Sequence, residues 1–420
     1  MHVVCSSDIL PVDVQNPSGP GFMMLCGIDG DAEVFFSSFY QNAFLAVMHV
    51  LPEGMPSLGK PLSVVFYPDQ NSPTIGAATS TGKYCVALIG ESGAYRLKVT
   101  DLTYLPEYEL KKNILYTQPA GFGITGLYPA SAKAYSMSLL RDNNGNYMLY
   151  STSGSPTLLW VYGTYANVNS EFGTPFKASD KAVYVDGANG AILYNEDTRS
   201  FARLASKASY VSYFNADQEE IFDFNNTNRD LLYMHSRTQE GNDWSIVYAI
   251  MKDISDGRIY LVSFTLASNT DKAQRSQIEI TSLPDIANAI EFEMTHGNVN
   301  NNFVFYRTDK QIYALDISSN THSVVYTAPD NYFISLMKTV NASRCPENDI
   351  LKGEMDDRMM VFTYNTSEPA ETCGRMDLFE AGYAPGMGVG SEVFSTVKLN
   401  NKPVVLTGFG KVVSADWEQK

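Results

Sequence analysis

Basic charge is scarce in this chain. Of 420 residues, 30 are Lys or Arg against 46 Asp or Glu, the formal net charge is −16, and charged residues of all kinds make up 18%, below the usual quarter. No run of basic residues offsets that balance locally, which argues against a nucleic-acid groove and against docking on an anionic membrane surface. No stretch reaches the ~18 apolar residues of a membrane span. The opening Met1-His2-Val3-Val4-Cys5 has neither the basic start nor the apolar centre of a signal peptide. Taken alone, it reads as a cytoplasmic chain, or as a mature or truncated form whose targeting segment is missing.

Cysteine is also sparse. Cys5, Cys26, Cys85, Cys345 and Cys373 form no CxxC pair and no framework spacing. Cys26 and Cys85 sit in apolar runs (MMLCG, KYCVALI) and read as small buried hydrophobes. Cys345 and Cys373 lie beside loops, where an oxidising compartment would let them pair. The histidines His2, His49, His235, His296 and His322 show no HxxxH or HxH spacing, so no metal site is expected. Asp142-Asn143-Asn144-Gly145-Asn146 starts like a calcium loop, but Ser153 stands where the closing Glu belongs. An Asn-Gly turn is the better reading there, and Asp29-Gly30-Asp31 is a weaker version. There is no GxSxG elbow, P-loop or dinucleotide fingerprint, and the glycines of 382–390 follow no strand-to-helix switch. No cofactor and no catalytic residue are therefore assigned.

What the chain does have is aromatic surface: 12% of residues, with 26 Tyr and 22 Phe, types that fit half-buried pleated sheets. Short β-branched and aromatic runs alternate with Gly, Asn, Asp and Ser turns. They pair as 22–26 with 32–36, 84–89 with 94–99, 147–151 with 158–162, and 182–185 with 192–194. Further units are 231–235 with 245–250 and 258–265, then 303–306 with 311–316 and 323–326. The last are 359–364 with 375–380, and 404–407 with 411–415. Such units cannot each bury an apolar face alone, and their spacing of roughly 35 to 70 residues is that of propeller blades.

Eight hairpins, with the first and last joined in one blade, predict an all-β, seven-bladed β-propeller over 21–420, with eight blades as the alternative. Pairing of the N- and C-terminal hairpins would close the ring and protect its sheet edges. Residues 1–20, punctuated by Pro11, Pro17 and Pro20, read as a linker or the remnant of an upstream domain. The segments 41–51 and 283–292 are ambiguous between short helix and strand. Irregular insertions at 51–60, 104–135, 215–228 and 337–357 would fall on the rims, where binding surfaces are built.

Four segments carry a family resemblance: Gly21-Phe22-Met23-Met24-Leu25, Gly59-Lys60-Pro61-Leu62, the unit from Phe303 to Asp316, and Gly408-Phe409-Gly410-Lys411-Val412-Val413-Ser414-Ala415. Together they resemble the PKD-like lipoproteins of gut Bacteroidetes, encoded beside outer-membrane glycan-uptake systems. The resemblance covers nearly the whole chain from about Gly19. It implies a C-terminal propeller-like region preceded by PKD-type domains, of which 1–18 would be the last strand and linker. It also implies a place at the extracellular face of the outer membrane or in the periplasm, with polysaccharide or outer-membrane uptake proteins as partners. It brings no catalytic residues.

For glycoside hydrolysis, two carboxylates must flank the bond. The candidates are Glu219, Glu220 and Asp223, the pair Glu291 and Glu293 on one strand face, and Asp356 with Asp357; the plainer reading of each is a solvated or edge charge. The ligand-binding candidates are the loop-proximal aromatics Trp160, Tyr162, Tyr165, Trp244, Tyr128, Tyr332 and Tyr383, whose rings could stack on sugars. Their plainer reading is core packing between blades. The function expected is a non-catalytic binding or scaffolding module tied to glycan capture. A propeller glycosidase or lyase and a protein–protein platform are the alternatives.

Overall fold

The computed structural model describes residues 20–40, 43–50, 52–68, 84–98, 102–114, 116–129, 137–151, 162–168, 175–185, 190–205, 208, 210–214, 221–238, 244–267, 272–295, 303–340, 358–382 and 394–418. They build a seven-bladed β-propeller.

Blade 1 takes its innermost strand, Lys411–Glu418, from the end of the chain. It adds Gly21–Ile28, Asp31–Tyr40 and the short Ala43–Phe44 and Met48–His49 outside it. Blade 2 runs outward through Pro61–Pro68, Tyr84–Gly90 and Ala94–Lys98; blade 3 through Ile124–Pro129, Met137–Asp142, Tyr147–Ser151 and Tyr162–Tyr165. Blade 4 is Val183–Val185, Gly190–Asn195, Ser200–Ala205 and Ser212–Tyr213. Blade 5 is Arg229–Thr238, Trp244–Asp253, Ile259–Ala267 and Lys272–Glu279. Blade 6 is Glu291–Met294, Phe303–Arg307, Gln311–Asp316 and Thr321–Thr327. Blade 7 is Tyr332–Thr339, Arg358–Asn365 and Gly374–Ala381, whose outer edge is shared by Phe394–Thr396 and Val405–Phe409. All pairings within the blades are antiparallel.

The continuous apolar runs of the sequence have a simple cause. Second and third strands are buried on both faces, because each sheet packs between two neighbours, so alternate residues serve different interfaces. Phe22, Met24 and Cys26 face blade 7 through Met360, Phe362, Met376 and Leu378. Met23 and Leu25, on the opposite face, meet Val64, Phe66, Val86 and Leu88 of blade 2. The same alternation splits Tyr248 and Ile250 from Val247, Ala249 and Met251 in blade 5. Seven apolar clusters result, one for each interface round the ring. Buried tyrosines add polar ties between blades: Tyr147 donates to Ser179 O at 2.7 Å, Tyr194 to Arg229 O at 2.5 Å, and Tyr306 to Pro284 O at 2.9 Å.

Ring closure differs in one respect from the expected joining of two hairpins. Gly21–Ile28 pairs with Lys411–Glu418, but the other half of the last hairpin, Val405–Phe409, pairs with Gly374–Ala381 of blade 7. The chain end is thus divided between two blades, with Gly410 at the crossing. The approach is close: a Cβ on Gly374 would lie 2.3 Å from Gly410 O, so only glycine fits there. Trp417 locks the seam from blade 1, against Phe22 at 4.8 Å and Phe44 at 6.2 Å between ring centroids.

In blade 3 the partner of Tyr147–Ser151 is Tyr162–Tyr165, a shift from the expected 158–162, of which 158–161 lie outside the described residues. The ambiguous 41–51 holds two short strands, and 283–292 holds a 3₁₀ turn at Ile286–Asn288 followed by the start of a strand. Insertion 104–135 contains the inner strand Ile124–Pro129, and the start of 337–357 belongs to the inner strand Tyr332–Thr339. Asp142 closes an Asn-Gly turn, its carboxylate accepting from the backbone of Asn144 and Asn146, both at 2.8 Å. Cys26, Cys85 and Cys373 are buried thiols, and Cys373 Sγ donates to Ala370 O at 3.5 Å. Cys345 and residues 1–19 lie outside the described residues.

Because one strand closes the ring, its anchor should carry a full core residue's weight. Trp417→Ala is expected to cost about 3–5 kcal/mol and Trp417→Phe much less, read as midpoint shifts in chemical denaturation.

Candidate functional site in the inner ring

The innermost strand of each blade has a neighbour on one side only. Its other edge presents backbone N–H and C=O groups to the axis, and those groups must be satisfied. Here side chains of adjoining inner strands do much of that work. Glu291 accepts from Met337 N at 3.0 Å, and Glu293 accepts from Thr339 N at 3.2 Å and from the Thr339 hydroxyl. In the same register from blade 1 to blade 2, Ser414 Oγ accepts from Val64 N at 3.1 Å and Asp416 from Phe66 N at 2.8 Å. Lys338 Nζ donates to Ala415 O at 2.6 Å and lies 3.6 Å from Asp416. Ser236 donates to Tyr184 O, and Arg237 Nε donates to Thr295 O at 2.8 Å. Residues two apart on a strand share a face, which is why Glu291/Glu293 and Ser414/Asp416 each act as pairs.

Five of these inner ladders carry a one-residue bulge, at Leu62, Thr125, Leu232, Ser335 and Val413. A bulge strengthens local twist and leaves a residue outside the ladder. At Ser335 the cost is met by Arg307, whose guanidinium donates to Ile334 O at 3.0 Å and Ser335 O at 2.8 Å. Glu291 holds that guanidinium in turn, at 2.5 Å.

The electrostatics follow from burial. Burial lifts the Glu291 carboxyl above its ordinary range, with Arg307 pulling it back. Burial, with the nearby Glu291 charge adding to it, pushes Glu293 up to about 7 against the hydrogen bonds from Thr339. On the blade 5 side, burial and then the Arg237 charge bring His235 down to about 3, so it is neutral under ordinary conditions. The Tyr233 and His235 rings stack in parallel, 6.2 Å apart, and burial holds the Tyr233 phenol well above its usual value.

Among the carboxylate candidates, Glu291 and Glu293 are thus wall residues of the inner ring, a correction to their reading as solvated edge charges. The four-residue strand Glu291–Met294 could not signal this by itself: burial came from the neighbouring blade. Asp416, Lys338, Thr339 and Arg307 were missed for the same reason. Asp223 is exposed and accepts from Asn225 N at 2.8 Å. Glu219, Glu220, Asp356 and Asp357 lie outside the described residues.

The aromatic candidates are not brought together. Tyr128, on the inner strand of blade 3, packs 5.3 Å from Tyr147 and donates to Asp180 O at 2.5 Å. Tyr165 is on the outer strand of the same blade, three strand spacings or about 14 Å away, with Tyr116 at 5.6 Å. Tyr332 opens the inner strand of blade 7, its hydroxyl 3.4 Å from Glu368. Tyr162 and Trp244 sit on strands of blades 3 and 5, with side chains outside the described set, as are Trp160 and Tyr383 entirely. Among the described residues, no group of three or more His, Cys, Asp or Glu is arranged to hold a metal ion. No helix among them is long and apolar enough to cross a membrane.

No family model and no curated protein matches the chain. Solved structures of similar outline include YCF48 from Cyanidioschyzon merolae, at 8% identity, TM-score 0.38, and coverage of 84% of this chain and 95% of that one. An ACO/RPE65 chimera gives 10%, 0.42, and 95% and 92%. The WD40 domain of SCAP from fission yeast gives 9%, 0.34, and 64% and 67%. At these values the likenesses carry no functional argument.

Two measurements probe the ring. Glu293 binds its proton more tightly folded than unfolded, so its contribution is full below the ordinary carboxyl range and is lost as pH rises through about 7. Glu293→Gln keeps the uncharged form at every pH. Its melting temperature relative to wild type should therefore climb between about pH 4.5 and 7.5; a flat difference would mean an ordinary carboxyl. Arg307→Met leaves Glu291 without its cation and should cost about 3 kcal/mol or more. The double variant with Glu291→Leu should recover much of that in denaturant titrations.

Proposed function

We propose that this propeller is a non-catalytic binding or scaffolding module that acts at a bacterial cell surface in glycan capture or uptake. One observation carries the non-catalytic part. Among the described residues, the carboxylates that reach between inner strands are already engaged, Glu291 with Arg307 and Met337 N, Glu293 with Thr339, and Asp416 with Phe66 N. Groups committed to holding strands together are poor candidates for proton transfer, because releasing them would open the ring's inner edge. The surface location and the glycan rest on the resemblance of the four quoted segments to PKD-like lipoproteins. The aromatic-rich composition supports the ligand class, since phenol and indole rings offer flat apolar surface with a polar tip.

A second reading has an observation of its own. Glu291 and Glu293 stand about 7 Å apart along one strand face, and Glu293 is lifted to about 7. An acid tuned to neutrality beside a second carboxylate is the arrangement of a glycosidase.

A thermal-shift screen against plant, host and microbial polysaccharides separates the two. Binding is expected to raise the melting temperature by linkage, about 2.7 kcal/mol at a hundred times Kd. The gain should shrink in Tyr165→Ala or Tyr332→Ala. No shift with any polysaccharide would remove the glycan from the proposal. Reducing-end or unsaturated product that disappears in Glu293→Gln would establish the second reading.

A further inference from the structure

Outer blade edges are where a propeller exposes unpaired backbone, and the blades protect theirs differently. The outer strands of blades 3, 4 and 7 include Tyr162–Tyr165, Ser212–Tyr213 and Phe394–Thr396, of four, two and three residues. Blade 1 ends in two-residue strands. In blade 2 residues of 102–109 lie over the edge, with Lys98 N donating to Thr103 O at 3.3 Å and a bridge from Tyr95 to Glu109. Blade 5 has a long outer strand, Lys272–Glu279, whose sequence carries Lys272, Arg275 and Glu279. Short length, coverage and charge are the usual defences of an edge.

Blade 6 uses none of them. Its outer strand Thr321–Thr327 is seven residues of THSVVYT, without Lys, Arg, Asp or Glu. Thr321 to Val324 are exposed, Val324 at 48%. The strand pairs with Gln311–Asp316 on one side, and among the described residues no strand lies on the other. The single irregularity is the bulge at Val325.

We propose that this edge receives an extended strand from another polypeptide, neutral and β-branched in its middle and basic at the end that meets Thr327. Strand addition supplies affinity through the unpaired backbone and specificity through alternate side chains. The charge of the site selects the partner. Asp309 and Asp330 are exposed near the Thr327 end, whereas Asp316 at the Thr321 end is buried and its carboxylate accepts from Ser318 N and Ser319 Oγ. Lys310, at the same turn as Asp309, draws its ammonium inward to Tyr332 O over the Phe333 ring at 3.7 Å, so it offsets part of that charge and leaves the two carboxylates as the more exposed groups. A second copy fits poorly. It would bring another charge of −16, which opposes association.

The test uses the whole chain and a fluorescein-labelled peptide, Lys-Lys-Thr-Val-Thr-Val-Thr-Val-Lys-Lys, basic at either end so that both strand directions are offered, beside the same peptide with the amides of all six central residues N-methylated, which blocks both of its edges. Both carry equal charge, but only the first can add as a strand. The expected result is at least about tenfold tighter binding of the unmethylated peptide, with slowed hydrogen exchange confined to 321–327 and its paired strand. Val324→Lys, an exposed change that should leave the melting temperature unaltered, is expected to weaken that binding by about the same factor. Equal binding of both peptides, protection elsewhere, or no binding overturns the proposal. So does a dimer in sedimentation that Val324→Lys dissociates, which would give the edge to a second copy.

Discussion

Everything in this molecule depends on satisfying the backbone of seven strands that have a neighbour on one side only. In an open sheet such an edge would be wet or would recruit another chain. Here the edges converge on an axis, and side chains from adjoining inner strands reach across. Glu291 and Glu293 meet the amides of blade 7, and Ser414 and Asp416 meet those of blade 2. That use of carboxylates explains why a chain with little cationic charge can carry acids in its wall: each is held by amides, a hydroxyl or a buried guanidinium. It also sets a cost, because burial, with Glu291 beside it, makes Glu293 ionise reluctantly.

The remaining stability is apolar and comes in seven parts. Each interface is a separate cluster, so no single core spans the ring, and its integrity depends on the last interface forming. The seam where Trp417 meets Phe22, Phe39 and Phe44 joins the two ends of the chain, and it turns a linear series of sheets into a closed one.

The strand units were legible because their physics is local. The run 84–89 is apolar at every position and 359–364 at all but Thr363, and both are flanked by residues that tolerate turns. A seven-blade ring followed from counting them and joining the ends. The inner strands were harder to see. Ile124–Pro129 and Tyr332–Thr339 include residues such as Gly126, Ser335 and Lys338, which weaken a strand pattern because half their partners come from another blade. The mistaken hairpin of 404–407 with 411–415 has the same origin. A tight turn at Gly408-Phe409-Gly410 looks identical whether the flanking strands pair with each other or with different sheets.

By itself, then, the sequence determined the all-β class, the number of blades and the aromatic packing between them, since alternation, turn chemistry and apolar content act within a few residues. Only the tertiary structure decided that Glu291 and Glu293 are wall groups, that Asp416 and Arg307 belong with them, and that one strand edge in blade 6 stands open. Burial, proton affinity and an unpaired edge are properties of what lies alongside a residue, and in this fold that neighbour comes from another blade.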